Sequence, residues 1–286
     1  MPAETRFTDL VGCRLPLQLA VLGGVGTAEL AVAVAGAGGL GMAPWYVDLP
    51  DSAPGPLGHG FLLPYVSDPD EVARAAAGVR VAEFFWGDPE ARLVEVAHAA
   101  GALVSWQVGS VEEAKAAQAA GCDLVVAQGI EAGGHVRGRE PLDMLLAEVL
   151  AAVTIPVVAA GGIGTAQRVA ELIEAGADAV RIGTRFLATP ECDTHPDYVA
   201  ALIAATADDT VVTSHFDDAG RWPAPVRVLG DSLKRAAAAG NRRTGPPSGA
   251  AADPLAMPCY AGLSVEAVTE VKSASAVVEE LTSLLD

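Results

Sequence analysis

The sequence predicts an α/β protein, a (β/α)8 barrel with a C-terminal helical appendage. Three observations carry that prediction. Within residues 1–190, eight short apolar runs alternate with stretches of helical character, and every connection but that between the second and third runs contains a plausible helix. The runs are rich in Val, Ala and Leu throughout, as parallel strands covered on both faces require. Glycine pairs or Gly-Thr follow the seventh and eighth runs, where barrels commonly place ligand loops. A doubly wound sheet is the alternative, with fewer strands and a crevice where strand order reverses. The strand count favours the barrel.

The first strand is the apolar run 16–22, which ends at Gly23-Gly24. Thr27 is suited to cap the next helix and Glu29 complements its dipole; that helix runs to about Gly36. Residues 39–43 read as the second strand. Residues 15–47 together are apolar enough to suggest a leader or a bilayer span. No basic stretch precedes them, however, and Pro16, Gln18, Thr27, Glu29 and several glycines interrupt them. A span needs roughly 20 unbroken apolar residues. The reading is strand, helix, strand.

Residues 48–60 hold three prolines and three glycines, so no helix is expected between the second and third strands. The third strand is placed at about 61–66. Asp68-Pro69 opens a helix through Ala77, and 79–85 is the fourth strand. Asp88-Pro89 starts a helix with Leu93, Val96 and Ala97 on one face. Strand five is 102–107, and Ser110 with Glu113 has the spacing of a capping box. Strand six, 124–127, leads to a helix over 142–152. Strand seven is 156–160, Thr165 caps a helix with Val169, Leu172 and Ile173 inward, and 179–182 is strand eight. Beyond Pro190, residues 193–210 look helical, 240–258 form a Gly/Pro/Ala-rich loop, and 265–285 a terminal helix or pair. Residues 1–190 are thus read as the barrel and 191–286 as an appendage packed on it, a single domain overall.

Composition narrows function. The 286 residues carry a formal net charge of −18, which repels a polyanion and argues against nucleic acid. Cys13, Cys122, Cys192 and Cys259 are widely separated and show no metal-type spacing. They read as reduced, mostly buried thiols of a soluble cytoplasmic protein with no metal site and no membrane partner.

The chemistry concentrates in Asp123 to Gly138, DLVVAQGIEAGGHVRG. A buried strand runs into a glycine-rich loop bearing Gln128, Glu131 and His135, and a loop on a rigid strand end can hold polar groups over a cavity. Gly133 and Gly134 lack a Cβ, so a flat ligand can lie against their backbone. His135 has the one side chain here whose unperturbed charge changes near neutral pH. Gly161-Gly162 and Arg181-Ile182-Gly183-Thr184 occupy the loops after strands seven and eight, a paired arrangement that points to phosphate. No G-x-G-x-x-G or Walker A sequence accompanies it, which leaves FMN or a sugar phosphate.

Three stretches, VAQGIEAGGHVRG (Val126–Gly138), PVVAAGGIG (Pro156–Gly164) and AGADAVRIGTRFLATP (Ala175–Pro190), resemble the nitronate monooxygenase family, formerly the 2-nitropropane dioxygenases. GVGTAELAVAVAGAGGLG and YAGLSVEAV are looser matches, so the resemblance spans most of the chain. These are FMN enzymes on a TIM barrel. The resemblance implies that His135 is the catalytic histidine. It also implies that Gln128, Gly133, Gly162 and Arg181 to Thr184 contact FMN, and that Ala20 to Gly24, with Leu22 and Gly23, lies beside the isoalloxazine. It implies oxidation of alkyl nitronates or nitroalkanes by O2 to carbonyl compounds and nitrite, with a homodimer left open. Arg181 either stabilises reduced flavin or pairs with an acid. An NAD(P)H-dependent enoyl reductase of the FabK type, or a non-catalytic flavin-binding barrel, are the alternatives.

Two departures bear on substrate. Ala20-Val21-Leu22 stands where the family usually has APM, and Leu62 is the nearest match to a usual third-strand Asn. Phe85, Trp86 and Trp106 place bulk near strand ends, to narrow the pocket or only to pack. His59, His98, His195 and His215 are expected to be structural or exposed, with His215 the next to test.

Overall fold

Short Val- and Ala-rich runs cannot be covered by one neighbouring layer, and the structure covers each of them on both faces by closing the sheet on itself. The computed structural model describes residues 4–66, 68–216, 224–249 and 251–285. After α1 (Arg6–Val11), the barrel strands are β1 (Leu17–Leu19), β2 (Gly41–Pro44), β3 (Leu57–Leu62), β4 (Val81–Phe85), β5 (Leu103–Val108) and β6 (Leu124–Gln128). A two-residue strand, β7 (Gly134–His135), lies outside the barrel, and β8 (Val157–Ala160) and β9 (Ala179–Ile182) complete it. All neighbouring pairs are parallel, in the order β1-β9-β8-β6-β5-β4-β3-β2. A bridge between Gln18 and Leu40 shuts the ring, with Leu19 N–H donating to Leu40 O at 2.9 Å.

The intervening helices are α2 (Ala28–Ala37), α3 (Pro69–Ala76), α4 (Ala91–Ala99), α5 (Val111–Ala119), α6 (Leu142–Ala152) and α7 (Ala166–Glu174). Their polar starts were legible: Thr27, Asp68, Ser110 and Thr165 each accept a backbone N–H of the first turn. At Ser110 the reciprocal half of the expected box is absent. The Glu113 carboxylate accepts from Gly109 N–H, one residue earlier, and from Arg137. As expected, no helix joins β2 to β3.

The third strand sits four residues earlier than its expected place. It occupies Leu57–Leu62, and Leu63–Tyr65 is a 3-10 turn. Pro64 has no N–H to give a ladder, so the strand stops before it. Gly58 belongs to the strand because its neighbours crowd it: a Cβ there would stand 2.7 Å from Val81 O. His59 is therefore a buried strand residue, its Nδ1 and Nε2 lying 2.8 and 3.0 Å from the carbonyls of Ala75 and Val47.

Beyond Pro190 come α8 (Pro196–Ala204), β10 (Thr210–Thr213), β11 (Val226–Leu229), α9 (Gly230–Ala238) and α10 (Ala274–Thr282). The helical character expected over 193–210 falls largely on α8. Two strands were not anticipated. β10 and β11 pair antiparallel, and β11 pairs with β7, so this region reaches back to the histidine loop. The terminal helix α10 packs against α2 and α7, at the place in the helical ring that follows β9.

Candidate active site

A cavity of about 560 Å³ opens at the C-terminal ends of the barrel strands, within the size range of cofactor pockets. Strand ends supply its inner wall, among them Ala20, Leu62, Phe85, Gln128, Ala160 and Gly183. Its outer wall comes from the second half of the chain: Thr244, Gly245, Pro246, Tyr260 and Ser264. Tyr65 Oη lies 3.4 Å from Thr244 Oγ1, where the two walls meet, and within the outer wall Tyr260 Oη accepts from Gly245 N–H at 3.2 Å.

His135 is held from three directions. Val226 of β11 pairs with its backbone, and its carbonyl accepts from Gln128 Nε2 at 2.9 Å. Gln128 Oε1 in turn accepts from Arg137 N–H at 3.3 Å, so one side chain fixes both sides of the loop. The imidazole sits between the rings of Trp86 and Tyr260, with centroids 6.1 and 5.9 Å away. Its remaining exposure is toward the cavity, and the surrounding burial pushes its pKa down to about 3. The ring is neutral at physiological pH. Trp86 adopts φ 64°, a left-handed conformation unusual for a bulky residue, and the Arg137 guanidinium stacks 5.8 Å from its ring.

The floor is polar. Arg181 on β9 and Glu83 on β4 form a buried ion pair, and Arg181 Nη1 also donates to Gln107 Oε1 at 2.6 Å. Of the two roles left open for Arg181, pairing with an acid is thus realised, while the residue still lines the cavity.

The glycine loops fit a phosphate-bearing cofactor. Gly161 and Gly162 have φ of 114° and 69°, and a Cβ on Gly162 would meet Glu131 Cβ at 2.9 Å. Across the cavity a Cβ on Gly183 would lie 3.3 Å from Ala20 Cβ. Among the described residues, the N–H groups of Gly162, Ile163 and Gly183 donate to no protein acceptor. Adjacent free N–H groups of this kind form an anion-binding concavity. Thr184 Oγ1 accepts from Gly262 N–H at 3.0 Å, and its own proton remains available to a ligand.

Of the residues singled out in the sequence, Ala20, Leu22, Gly23, Gln128, Gly133, Gly134, His135, Gly161, Gly162, Arg181, Gly183 and Thr184 all line this one cavity. Ile182 does not. Side chains alternate along β9, so with Arg181 facing inward Ile182 is turned into the packing layer beneath the helices. Trp106 likewise packs outward, its ring 5.0 Å from Phe84 and its Nε1 donating to Gly87 O. Glu131 caps α6 through Leu142 N–H. His98 pairs with Asp123, His195 caps α8 and His215 Nε2 meets Asn241 O, all outside the cavity. The sequence reading passed over Glu83, Gln107, Thr244 and Tyr260. A lone carboxylate in the apolar run VAEFF was the available signal for the first.

The sequence profile described as nitronate monooxygenase matches residues 66–283. A nitronate monooxygenase of Pseudomonas aeruginosa is 32% identical over 285 aligned positions, covering 79% of this chain and 81% of that protein. The (3aS,4S,5R,7aS)-5-hydroxy-7a-methyl-1-oxo-octahydro-1H-indene-4-carboxyl-CoA dehydrogenase of Mycobacterium tuberculosis is 34% identical over 261, covering 86% and 71%. Among solved structures, FabK from Thermotoga maritima superimposes with a TM-score of 0.80 at 29% identity, over 98% of this chain and 96% of its own. Nitroalkane oxidase from Streptomyces ansochromogenes gives 0.77 at 29%, over 98% of each. By the profile match over residues 66–283 and the Pseudomonas relative, the chain belongs to the nitronate monooxygenase family of oxidoreductases.

Proposed function

We propose that this chain is an FMN-dependent oxidase of alkyl nitronates, converting them with O2 to carbonyl compounds and nitrite. The observation that carries the reading is His135, a neutral imidazole facing a cavity whose far side offers free glycine N–H groups. FMN, when bound, supplies the redox chemistry with O2, while the protein supplies position and electrostatics. Gly161, Gly162, Gly183 and Thr184 would hold its phosphate, Ala20 to Gly23 would lie along the ring system, and Arg181 would meet its polar edge.

His135 then has a defined task. A pKa pushed down to about 3 makes it a poor acceptor for the α-proton of a neutral nitroalkane, since a general base works best with a pKa near the operating pH. It remains a good hydrogen-bond partner. This favours a substrate that arrives already ionised, the nitronate, whose oxygens the imidazole N–H would orient over the flavin.

One observation supports a second reading, an NAD(P)H-dependent enoyl reductase. The wall formed by Trp45, Phe61, Leu62 and Phe85 is broad and apolar, as an acyl chain requires, and relatives include a CoA-ester enzyme and FabK. The two part in a product assay. The FMN-loaded protein given an alkyl nitronate without NAD(P)H should release nitrite and carbonyl compound in step with O2 consumption. Oxidation of NAD(P)H with an enoyl thioester, and no nitrite, would replace the first reading with the second.

A further inference from the structure

Below the cavity mouth, four barrel strands direct polar side chains at one another. Arg181 Nη1 donates to Glu83 Oε1 and Gln107 Oε1, and Glu83 Oε2 accepts from Gln18 Nε2 at 2.8 Å, with Ser105 Oγ 3.5 Å away. All five residues are buried. A guanidinium carries five N–H donors in a rigid planar fork. Here only Nη1 is used; among the described residues neither Nε nor Nη2 of Arg181 meets an acceptor. Arg181 is at the same time part of the cavity wall and only 8% exposed. Nε and Nη2 are not sealed inside the protein, so the unused edge of the fork is open to the cavity and available to an acceptor on whatever fills it.

We infer that Glu83 is a positioning residue for the cofactor: through Arg181 it sets the direction of the free guanidinium N–H groups and offsets their charge where the flavin's polar ring edge would lie. The inference rests on the flavin reading above. The carboxylate grips one terminal nitrogen, Gln107 shares it, and Gln18, beside Arg181 on the neighbouring strand β1, holds the carboxylate's other oxygen. A fork pinned in this way cannot swing, so its remaining donors point in a fixed direction. With Glu83 beside it, the floor is close to neutral. Without Glu83, a full positive charge would face the ligand in a site screened from water.

The test is the midpoint potential and FMN dissociation constant of the reconstituted full-length protein, for wild type, Glu83→Gln, Arg181→Gln and the double variant. An uncompensated Arg181 favours the reduced, negatively charged flavin. Glu83→Gln should therefore raise the ratio of reduced to oxidised flavin at fixed potential about tenfold, roughly 30 mV for a two-electron couple. Arg181→Gln should lower it by a similar factor, and the double variant should return close to wild type. A pair that only braces the barrel would lower stability in both single variants and leave the potential unmoved, which overturns the inference. Glu83→Asp guards against a variant that does not fold: it keeps the charge but shortens the grip, and should weaken FMN binding about tenfold with little change in potential. Unchanged FMN binding in Glu83→Asp would also overturn the inference. Nitronate turnover of the wild type is a separate readout. Opposed potential shifts without nitrite release would overturn the nitronate reading and leave the role of Glu83 standing. Nitrite release with unmoved potentials would do the reverse.

Discussion

In the proposed reaction His135 is the residue on which the chemistry turns, and its environment makes two pH statements. Its folded pKa of about 3 lies below the ordinary 6.5. Between those values the unfolded chain binds a proton that the folded chain does not. The contribution to stability is therefore lost as pH falls through that window and is fully present above it. His135→Gln should flatten the stability curve between about pH 7 and about pH 4.5, checked by urea unfolding at both values. Activity toward a preformed nitronate should show no acid limb from this residue across the neutral range, which a kcat/KM profile reads directly. The histidine itself was legible, because a glycine pair and an imidazole at the end of an apolar strand leave few other uses. Glu83 and Gln107 were harder to see. Their partner Arg181 lies on a strand that only barrel closure brings near, so the buried ion pair belongs to tertiary structure and leaves no local pattern. Ile182 shows the converse limit: a run of matching positions cannot all face one way on a strand.

At the level of elements, caps and apolar runs located most strands and helices, and the errors have local causes. The third strand was displaced because glycines read as turn signals; here Gly58 and Gly60 sit in a crowded ladder, and Pro64 ends it. β10 and β11 escaped notice because each is four residues long, and the sheet they form is completed only by β7, an element of two residues that pairs with β11. The helices make quantitative tests. Thr165 caps α7 through Arg168 N–H at 3.2 Å, so Thr165→Ala should cost about 1 kcal/mol in chemical unfolding. Leu281 in α10 is fully buried, and Leu281→Ala should cost about 2–5 kcal/mol. A loss well under that range would mean that α10 does not close the helical ring as described.

Across the whole molecule, the cavity is a joint product of the two halves of the chain. The strand ends give the floor and the glycine loops, while Thr244 to Pro246, Tyr260 and Ser264 give the outer wall, and β11 holds the His135 loop. A chain ending after Pro190 would lose that wall, β11 and α10 together. It should show no cooperative melting by circular dichroism and retain no flavin; a folded, yellow fragment would show that the barrel stands without them. Oxygen uptake reads nitronate oxidation at the His135 loop without an intermediate step. Purified FMN-loaded protein is given an alkyl nitronate without NAD(P)H, beside the His135→Ala variant. The expected result is rapid uptake with nitrite release, reduced about 10²–10⁴-fold in the variant while FMN stays bound. Absence of uptake by the FMN-loaded wild type would contradict the claim.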